Sequence, residues 1–270
     1  MSAQTESTFA WEPLTPRGVA AFARATPSRL FLVQFIFALF AAVSVVWFLH
    51  DGCFPTVFTA IRNLPATGEI RSARLDWGGN SPQLLAEGRA IAFDVDLNHS
   101  GQIHPLADVQ IEFGGESVRV FSLLGYTGWD YPRGYIIPFN RTDLEPQWGA
   151  WAMELLFMTG ITLVIGFMLG WWLLATIYFI PVWVLGFFTN RDLNLRQSWR
   201  LAGAALMPGA LLAAVSVLLY NFGLLNLVSL GFIFTANLVL GWIYLVLSLF
   251  FVPRISSTSP GANPFSPRFH

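Results

Sequence analysis

Residues 148–188 read WGAWAMELLFMTGITLVIGFMLGWWLLATIYFIPVWVLGFF, a run of 41 positions in which Glu154 carries the only charge. A helix that crosses the ~30 Å hydrocarbon core of a bilayer needs roughly 20 apolar residues. The run is therefore too long for one ordinary span, yet it lacks a polar turn that would separate two. The number of times it crosses determines the topology predicted for the whole chain.

Three further uncharged runs lie on either side of it, at residues 30–49, 201–220 and 224–252, and each is long enough for one span. The whole chain is 54% hydrophobic and 11% charged, whereas about a quarter of the residues in soluble domains are charged. These values indicate a membrane protein whose first partner is the lipid bilayer. A net charge of −1 without a basic run argues against nucleic-acid binding, which depends on clustered cations.

The number of spans follows from the arginines. If residues 148–188 cross once, the chain has four spans and its cytoplasmic side collects eight arginines; if they cross twice, it has five spans and collects three. The eight are Arg17, Arg24, Arg29, Arg191, Arg196, Arg200, Arg254 and Arg268. Because cytoplasmic loops are enriched in Lys and Arg, we predict a membrane α-helical bundle of four spans, with five as the alternative, and with both termini in the cytoplasm.

Charge also divides the chain into domains. Residues 51–148 hold 7 Arg and 12 acidic residues, and the other 172 residues hold 8 Arg and 4 acidic residues. One polar domain is thus inserted into an apolar chain. The predicted parts are a flexible cytoplasmic tail (1–29), a transmembrane helix (30–50), an extracytoplasmic β-rich domain (51–148), a transmembrane helical bundle (149–252) and a flexible C-terminal tail (253–270). Cys53 is the only cysteine, so no intrachain disulfide can form.

The polar domain shows the alternation typical of β-strands. Apolar and polar residues alternate over 91–97 and 109–113, and weaker strand patterns cover 73–77 and 134–139. Gly114 and Gly115 predict a two-residue hairpin turn with positive φ before a strand at 118–120. We therefore expect a small antiparallel sheet or sandwich of about five or six strands.

Acidic, amide and hydroxyl side chains alternate at the end of the strand that starts at residue 91: Asp94, Asp96, Asn98 and Ser100. A calcium-binding EF-hand loop needs Gly at its sixth position and Glu at its twelfth, where this chain has His99 and Pro105. We therefore interpret the pattern as an outward acidic face, with an unconventional cation site as the alternative. His99 and His104 are too few for a zinc site, and we expect neither a metal nor another cofactor.

Two other groups of residues are candidate sites. Four aromatic residues are interleaved with glycine: Tyr126, Trp129, Tyr131 and Tyr135. They could contact a ligand, close the core of the polar domain or rest on the membrane surface. Inside the apolar runs, Glu154, Asn226 and Asn237 form a possible polar site, because ionisable and polar groups within a membrane are often functional. Glu154 lies near the predicted outer boundary and could equally serve as an interfacial anchor.

Small residues four positions apart indicate close helix packing. Gly166 with Gly170, and Ala205 with Gly209, have the spacing that allows two helix backbones to approach. The contact could lie within one chain. It could also join the chain to a protein partner or to a second copy.

The common nucleophile, zinc-protease, nucleotide and Cys-x-x-Cys motifs are absent from the sequence, so we do not expect an enzyme. The loop 190–200 carries three arginines and leads into an Ala/Gly-rich helix with Pro208 in its first half. This arrangement, together with the layout of residues 149–252, resembles the Yip-like multispan membrane proteins and a related uncharacterised bacterial membrane family. The resemblance implies a non-enzymatic integral membrane protein linked to trafficking or transport, and it assigns no catalytic residue.

Together these features predict an integral protein of the plasma membrane, specifically a bacterial inner membrane. Its extracytoplasmic β domain is expected to act by contact with a protein or ligand, as a sensor, scaffold or transport accessory. The alternative is a small transporter or channel subunit that uses Glu154, Asn226 and Asn237.

Overall fold

The structure is a computed structural model and describes residues 11–254. The α-helices in this part of the chain are α1 (Pro16–Phe22), α2 (Pro27–Phe48), α3 (Phe54–Arg62), α4 (Arg141–Phe188), α5 (Leu195–Ala205), α6 (Met207–Asn221) and α7 (Leu227–Leu249). The strands are β1 (Gly68–Arg71), β2 (Arg74–Trp77), β3 (Gln83–Glu87), β4 (Ile91–Val95), β5 (Val109–Phe113), β6 (Ser117–Ser122), β7 (Gly125–Asp130) and β8 (Ile136–Pro138). All eight strands thus lie in one insertion, the β domain, between α3 and α4.

Four helical segments within residues 11–254 are long and apolar enough to cross a membrane: Pro27–Arg62, Arg141–Phe188, Leu195–Asn221 and Leu227–Leu249. This number agrees with the four helices expected from the sequence. The segment Arg141–Phe188 is one helix of 48 residues that continues through Pro181, and at 1.5 Å per residue it is about 72 Å long. It contains no turn at which the chain could reverse, so it offers no support for a double crossing.

The described chain divides into two compact units. The helical unit comprises residues 11–38, Gly166–Leu212 and 235–254, and the β-bearing unit comprises Leu39–Ile165 and Ala213–Phe234. Helices α2, α4, α6 and α7 each contribute residues to both units. The boundary between the units therefore falls within continuous helices.

Gln34 ties three helices of the helical unit together. Its side chain has no exposed surface; its Oε1 accepts a hydrogen bond from Trp172 Nε1 at 3.1 Å, and its Nε2 donates to the carbonyl of Gly203 at 3.4 Å. A Cβ on Gly203 would lie 3.2 Å from Gln34 Nε2, so the glycine leaves room for the amide. A polar residue that merely interrupts an apolar run in the sequence thus links α2, α4 and α5.

Part of the segment predicted as a flexible tail, residues 1–29, is instead packed helix. Thr15 accepts a hydrogen bond from the N–H of Gly18, and Pro16 is the first residue of α1; both features favour a helix start. Val19 and Phe22 are completely buried, and α1 packs against α5. Pro16, in a segment expected to be flexible, therefore begins a helix. The other parts of the two predicted tails, 1–10 and 255–270, lie outside the described residues.

The strands form two sheets, with the orders β2-β1-β8 and β3-β4-β5-β6-β7. Every neighbouring pair is antiparallel except β4 and β5, which run parallel with Asp94 opposite Glu112. The expected small β domain is therefore present, but it has eight strands instead of about five or six, and one of its pairs is parallel. Residues 96–108 connect β4 to β5 and are long enough for the crossover that a parallel pair requires. Strands β1, β3 and β7 were missed because their sequences lack a clear alternation of apolar and polar residues.

The turn between β5 and β6 differs from the predicted hairpin. The N–H of Gly114 donates to the carbonyl of Ser117 at 2.9 Å, so the turn contains Gly115 and Glu116. Neither Gly114 nor Gly115 has a positive φ. Gly114 has another reason to be glycine, because a Cβ at this position would overlap the imidazole ring of His99.

The core of the β domain lies between the sheets and α3. Its buried residues are Ala60, Leu64, Ile70, Leu75, Leu85, Ala86, Val95, Tyr131 and Phe139. The ring of Phe139 lies 4.7 Å from that of Phe113 and 5.9 Å from that of Trp77, measured between centroids. These contacts join residues of both sheets into one apolar cluster.

Candidate functional site

The three polar residues predicted inside the apolar runs have separate surroundings. Glu154 is exposed on α4. Asn226 precedes α7, and its Oδ1 accepts a hydrogen bond from the N–H of Ser229 at 2.8 Å, so it serves as the helix cap. Asn237 lies within α7 against Gly209. The structure thus gives the two asparagines different roles: Asn226 caps α7, and Asn237 packs against α6.

The two pairs of small residues also differ. Ala205 is buried, and Gly209 is in such close contact with Asn237 that a Cβ would lie 2.7 Å from the main-chain oxygen of that residue. Gly166 and Gly170 face open space, with nothing described within 4 Å of a Cβ at either position. The first pair thus serves packing within the chain. For Gly166 and Gly170, contact with a partner protein or a second copy stays a prediction.

The four candidate aromatic residues fall into two classes. Tyr126, Trp129 and Tyr135 are 68%, 55% and 67% exposed. Tyr131 is only 7% exposed, and its hydroxyl donates to the carbonyl of Gly114 at 3.0 Å; burial raises its pKa well above the usual value. Of the two alternatives considered for Tyr131, its burial favours the one in which its ring closes the core.

Strand β7 forms one edge of the five-stranded sheet, and all six of its residues are exposed. The N–H of Tyr131 donates to the carbonyl of Glu116. In an antiparallel pair only alternate residues exchange such bonds with the partner strand. Tyr126, Gly128 and Asp130 therefore direct their main-chain N–H and C=O groups away from β6.

The acidic face predicted to point outward is buried. Asp94 has no exposed surface, and Asp96 and Glu112 are nearly as inaccessible. Asp96 accepts hydrogen bonds from Ser100 Oγ at 2.7 Å and from the N–H of Gly101 at 3.1 Å. Burial alone would raise the pKa of Asp96, but these hydrogen bonds outweigh it and lower the pKa. The carboxylate of Asp96 thus holds the loop 96–101 in place.

Asp94 is the least satisfied of the buried acids. Its Oδ1 accepts a hydrogen bond from Gln110 Nε2 at 2.8 Å, while its Oδ2 has no hydrogen-bond partner among the described residues. Burial raises the pKa of this carboxyl to about 6, and the neighbouring charges of Glu112 and Asp96 act in the same direction. Within residues 11–254 no three His, Cys, Asp or Glu side chains are placed to hold a metal ion, so the cation alternative gains no support.

His99 connects the buried acidic face to the surface. Its Nδ1 lies 2.5 Å from Glu112 Oε1, and its Nε2 lies 3.2 Å from Ser117 Oγ. The side chain of His99 is 16% exposed and that of Glu112 is 5% exposed. His99 has a φ of +52°, a left-handed conformation that is uncommon outside glycine. His104, the other histidine considered from the sequence, is exposed.

A cavity of about 540 Å³ opens beside His99 and Ser117. Its other lining residues are Arg74, Leu75, Leu97, Asn98, Gly115, Glu116 and Asp130. Arg74 and Glu116 form an ion pair at 2.8 Å, with both side chains largely exposed. The cavity is therefore polar and accessible to solvent, with the His99 cluster on its wall.

A second polar cluster joins the β domain to the loop between α6 and α7, within the β-bearing unit. Arg89 donates hydrogen bonds to the carbonyls of Tyr220 and Leu225, and the Tyr220 hydroxyl donates to Asp108 Oδ2 at 2.5 Å. Next to it lies a cavity of about 370 Å³, which Asp108 and Asn226 help to line. We call Arg89, Asp108 and Tyr220 the junction.

Both clusters escaped the sequence analysis for the same reason. Tyr220 lies 112 residues from Asp108, and His99 lies 13 residues from Glu112 and 18 from Ser117. No local motif joins the members of either cluster. His99 and Glu112 meet only because β4 and β5 are parallel, a pairing that the alternation of residues does not reveal. The positive φ of His99 has no sequence signal either. Only the burial of an acidic strand face could have drawn attention to the first cluster, and the sequence suggested the opposite.

No protein-family model matches this chain, and no curated protein or solved structure matches it. The resemblance to Yip-like proteins therefore stays a hypothesis.

Proposed function

We propose that this protein is an integral membrane protein that crosses the bilayer four times and uses an extracytoplasmic β domain to contact an extended segment of a partner protein. The observation that carries the proposal is the edge strand β7, whose six residues are all exposed. A plasma membrane, and in a bacterium the inner membrane, is the location we expect.

The apolar outer surface of the helices supports the membrane location. On α2 alone, Phe35, Ile36 and Leu39 are about half exposed. Large exposed apolar patches are rare on soluble monomers, and side chains of this kind are stable where they contact lipid. The four segments Pro27–Arg62, Arg141–Phe188, Leu195–Asn221 and Leu227–Leu249 supply the length that a bilayer demands.

Contacts within each unit support the four-span topology. In the helical unit, Arg24 forms an ion pair with Asp192 at 3.2 Å, and Arg200 donates a hydrogen bond to the carbonyl of Ala25. These contacts support a topology with the N-terminal segment and the loop 190–200 on one side of the membrane, whereas five spans would put them on opposite sides. In the β-bearing unit, the junction holds the α6–α7 loop to the β domain.

Cysteine labelling tests this topology. In a Cys53→Ser background, we expect Arg133→Cys to react with a membrane-impermeant maleimide on intact cells, and Arg196→Cys to react only after permeabilisation. Both native side chains are exposed, so access to solvent differs only by the side of the membrane. Labelling of Arg196→Cys from outside would contradict four spans.

The edge strand is suited to binding by strand addition. Unpaired main-chain groups at a sheet edge can pair with an extended peptide, while pockets and exposed side chains provide specificity. Tyr126 and Trp129 supply the side chains, and the guanidinium of Arg119 lies 5.8 Å from the ring of Tyr126. Natural edge strands are usually protected by charge or proline, yet Asp130 is the only charged residue of β7.

Proline substitution tests the role of this edge. A photo-reactive phenylalanine analogue at Trp129 should form one discrete adduct in cells, and Gly128→Pro should abolish it by removing an outward N–H. Proline is tolerated at a free sheet edge, so the melting temperature should change little. Thr127→Pro, which removes an N–H directed to β6, should lower the melting temperature instead.

The result that would overturn the contact proposal is an adduct at Trp129 that survives Gly128→Pro in a folded protein. The proposal is also overturned if the photo-reactive analogue at exposed Leu106, in the β4–β5 connection, forms the same adduct as the analogue at Trp129. Either result means that the edge strand is not the contact.

Of the three roles expected for the β domain, a sensor, a scaffold or a transport accessory, the junction favours the sensor. Arg89 and Asp108 belong to the β domain, and they hold the C-terminal end of α6 through hydrogen bonds. Movement of the β domain on binding would therefore be transmitted to α6. The rival function, a transporter or channel subunit, depends on Glu154, Asn226 and Asn237. Substrate flux into liposomes that is lost on Glu154→Gln would favour this rival.

A further inference from the structure

We propose that Ser117, His99 and Glu112 form a nucleophile–base–acid relay that makes Ser117 reactive toward small carboxylic esters bound in the adjoining cavity. The residues are distinct from the edge strand β7. The inference therefore goes beyond the contact function and does not depend on it, and it replaces the expectation that this protein has no catalysis.

The order of the contacts is the one that serine nucleophiles require. A serine hydroxyl is a weak nucleophile until a base within hydrogen-bond reach accepts its proton, and the base is in turn oriented by a third group. Here His99 Nε2 lies 3.2 Å from Ser117 Oγ, and the opposite ring nitrogen, Nδ1, lies 2.5 Å from Glu112 Oε1. Glu112 thus fixes the tautomer in which Nε2 is free to accept a proton.

Accessibility changes along the relay as catalysis would need. Glu112 is buried, His99 is mostly buried, and Ser117 is half-buried and lines the open cavity. The carboxylate is therefore shielded from water, whereas the hydroxyl can meet a substrate. Shielding strengthens the electrostatic interaction between an acid and an imidazolium.

The backbone around His99 is built to hold this ring. The left-handed φ of His99 costs free energy, and such strain is concentrated at functional sites. Asp96 anchors the loop through Ser100 and Gly101, and the absence of a side chain at Gly114 leaves the space that the ring occupies. The loop anchored by Asp96 and the space beside Gly114 thus place the His99 ring between Glu112 and Ser117.

The cavity sets the substrate class. Its volume of about 540 Å³ lies in the range of small-molecule sites. The charges on its wall are those of Arg74, Glu116 and Asp130, and Arg74 is already paired with Glu116. The remaining acid, Asp130, gives the wall a net negative charge that disfavours anionic ligands, so the cavity fits a small uncharged acyl ester.

The reaction balances without a cofactor. Ser117 Oγ forms a bond to the ester carbonyl carbon while His99 Nε2 takes the hydroxyl proton. The bond to the leaving alcohol then breaks, and the alcohol receives that proton from His99. Water next attacks the acyl-serine with His99 again as the base, which releases the acid and restores the Ser117 hydroxyl. The sum is ester plus water giving acid plus alcohol.

The test uses the full chain in detergent with a fluorophosphonate probe and with p-nitrophenyl acetate. Ser117 should displace fluoride from the probe, forming a P–O bond as the P–F bond breaks, and mass spectrometry should find the adduct on Ser117. Ser117→Ala should abolish labelling, and His99→Gln should lower ester hydrolysis by about 100-fold or more, the usual contribution of a general base. Ser122→Ala, at the exposed far end of β6, is the matched control and should react like the wild type.

Glu112 acts through His99, so it is a positioning residue and needs a different measurement. In Glu112→Gln the maximal rate of labelling should fall about 100-fold, while the probe concentration at half-maximal rate stays unchanged. A purely structural role would change both values or neither. The proposal is overturned if labelling of folded protein, judged by its circular dichroism, is unaffected by Ser117→Ala, or if wild type and Ser117→Ala both fail to react. A failed relay leaves the photo-adduct at Trp129 untouched, so the two proposals fail separately.

Discussion

Replacing Asp94 by Asn should stabilise the protein by up to about 3 kcal/mol at pH 8, and by little at pH 4. The pKa of Asp94 is raised from 3.8 to about 6, mainly by burial. Each pKa unit corresponds to ~1.4 kcal/mol. Because the folded state binds this proton more tightly than the unfolded state, the protonated Asp94 contributes to the free energy of unfolding. That contribution is complete below pH 4 and is lost as the pH rises through about 6. The Asn variant never carries the charge and does not undergo this loss.

The measurement is the free energy of urea unfolding in detergent, followed by tryptophan fluorescence at pH values from 4 to 8. The titration of all other groups cancels when the unfolding free energy of the wild type is subtracted from that of the variant. This difference should grow with pH. Asp76→Asn, on an exposed position of β2, is the control and should change stability by less than about 0.5 kcal/mol. An Asp94→Asn protein that is less stable than the wild type at pH 8 would show that the charged carboxylate is satisfied.

Replacing Gly209 by Ala should destabilise the helical unit by about 2 kcal/mol or more, the order found for overpacked interiors. The new methyl group would lie 2.7 Å from the main-chain oxygen of Asn237. Because this atom belongs to the backbone of α7, the clash cannot be relieved by rotation of a side chain. The two helices would have to separate.

Gly170→Ala is the matched control, since both glycines lie in long helices of the same unit. A Cβ at Gly170 meets nothing within 4 Å, and alanine is the better helix former by about 1 kcal/mol. We therefore expect a melting temperature in detergent that is unchanged or raised for Gly170→Ala and clearly lowered for Gly209→Ala. Equal melting temperatures for the two variants would mean that α6 and α7 do not approach closely at Gly209.

The helices were the part of the fold most accessible to sequence reasoning. An uncharged run of 20 or more residues satisfies its backbone within the helix, so its structure depends little on the rest of the chain. Residues 148–188 show both the success and the limit of this argument. The run is helical throughout and continues unbroken through Pro181. The sequence left this continuation undecided, because a helix can also bend or end at proline.

The strands were harder to predict, and the site could not be predicted at all. Alternation located β4 and β5 because each has one apolar face, but it did not indicate which strands are neighbours. The alternation assigned Asp94 and Asp96 to solvent, whereas the loop 96–101 and the parallel partner β5 bury them. Tyr131 was grouped with its exposed neighbours for the same reason, since its partner, the carbonyl of Gly114, lies 17 residues away.

The sequence by itself determined the helical segments and the position of the inserted β domain, because these depend on local composition. The tertiary structure decided the contact between His99, Glu112 and Ser117 and the hydrogen bonds from Arg89 to the end of α6. It also decided which of the two pairs of small residues is packed, Ala205 with Gly209 or Gly166 with Gly170. These features join residues that the chain brings together only after strand pairing and helix packing, and neither the pairing nor the packing is encoded in neighbouring residues.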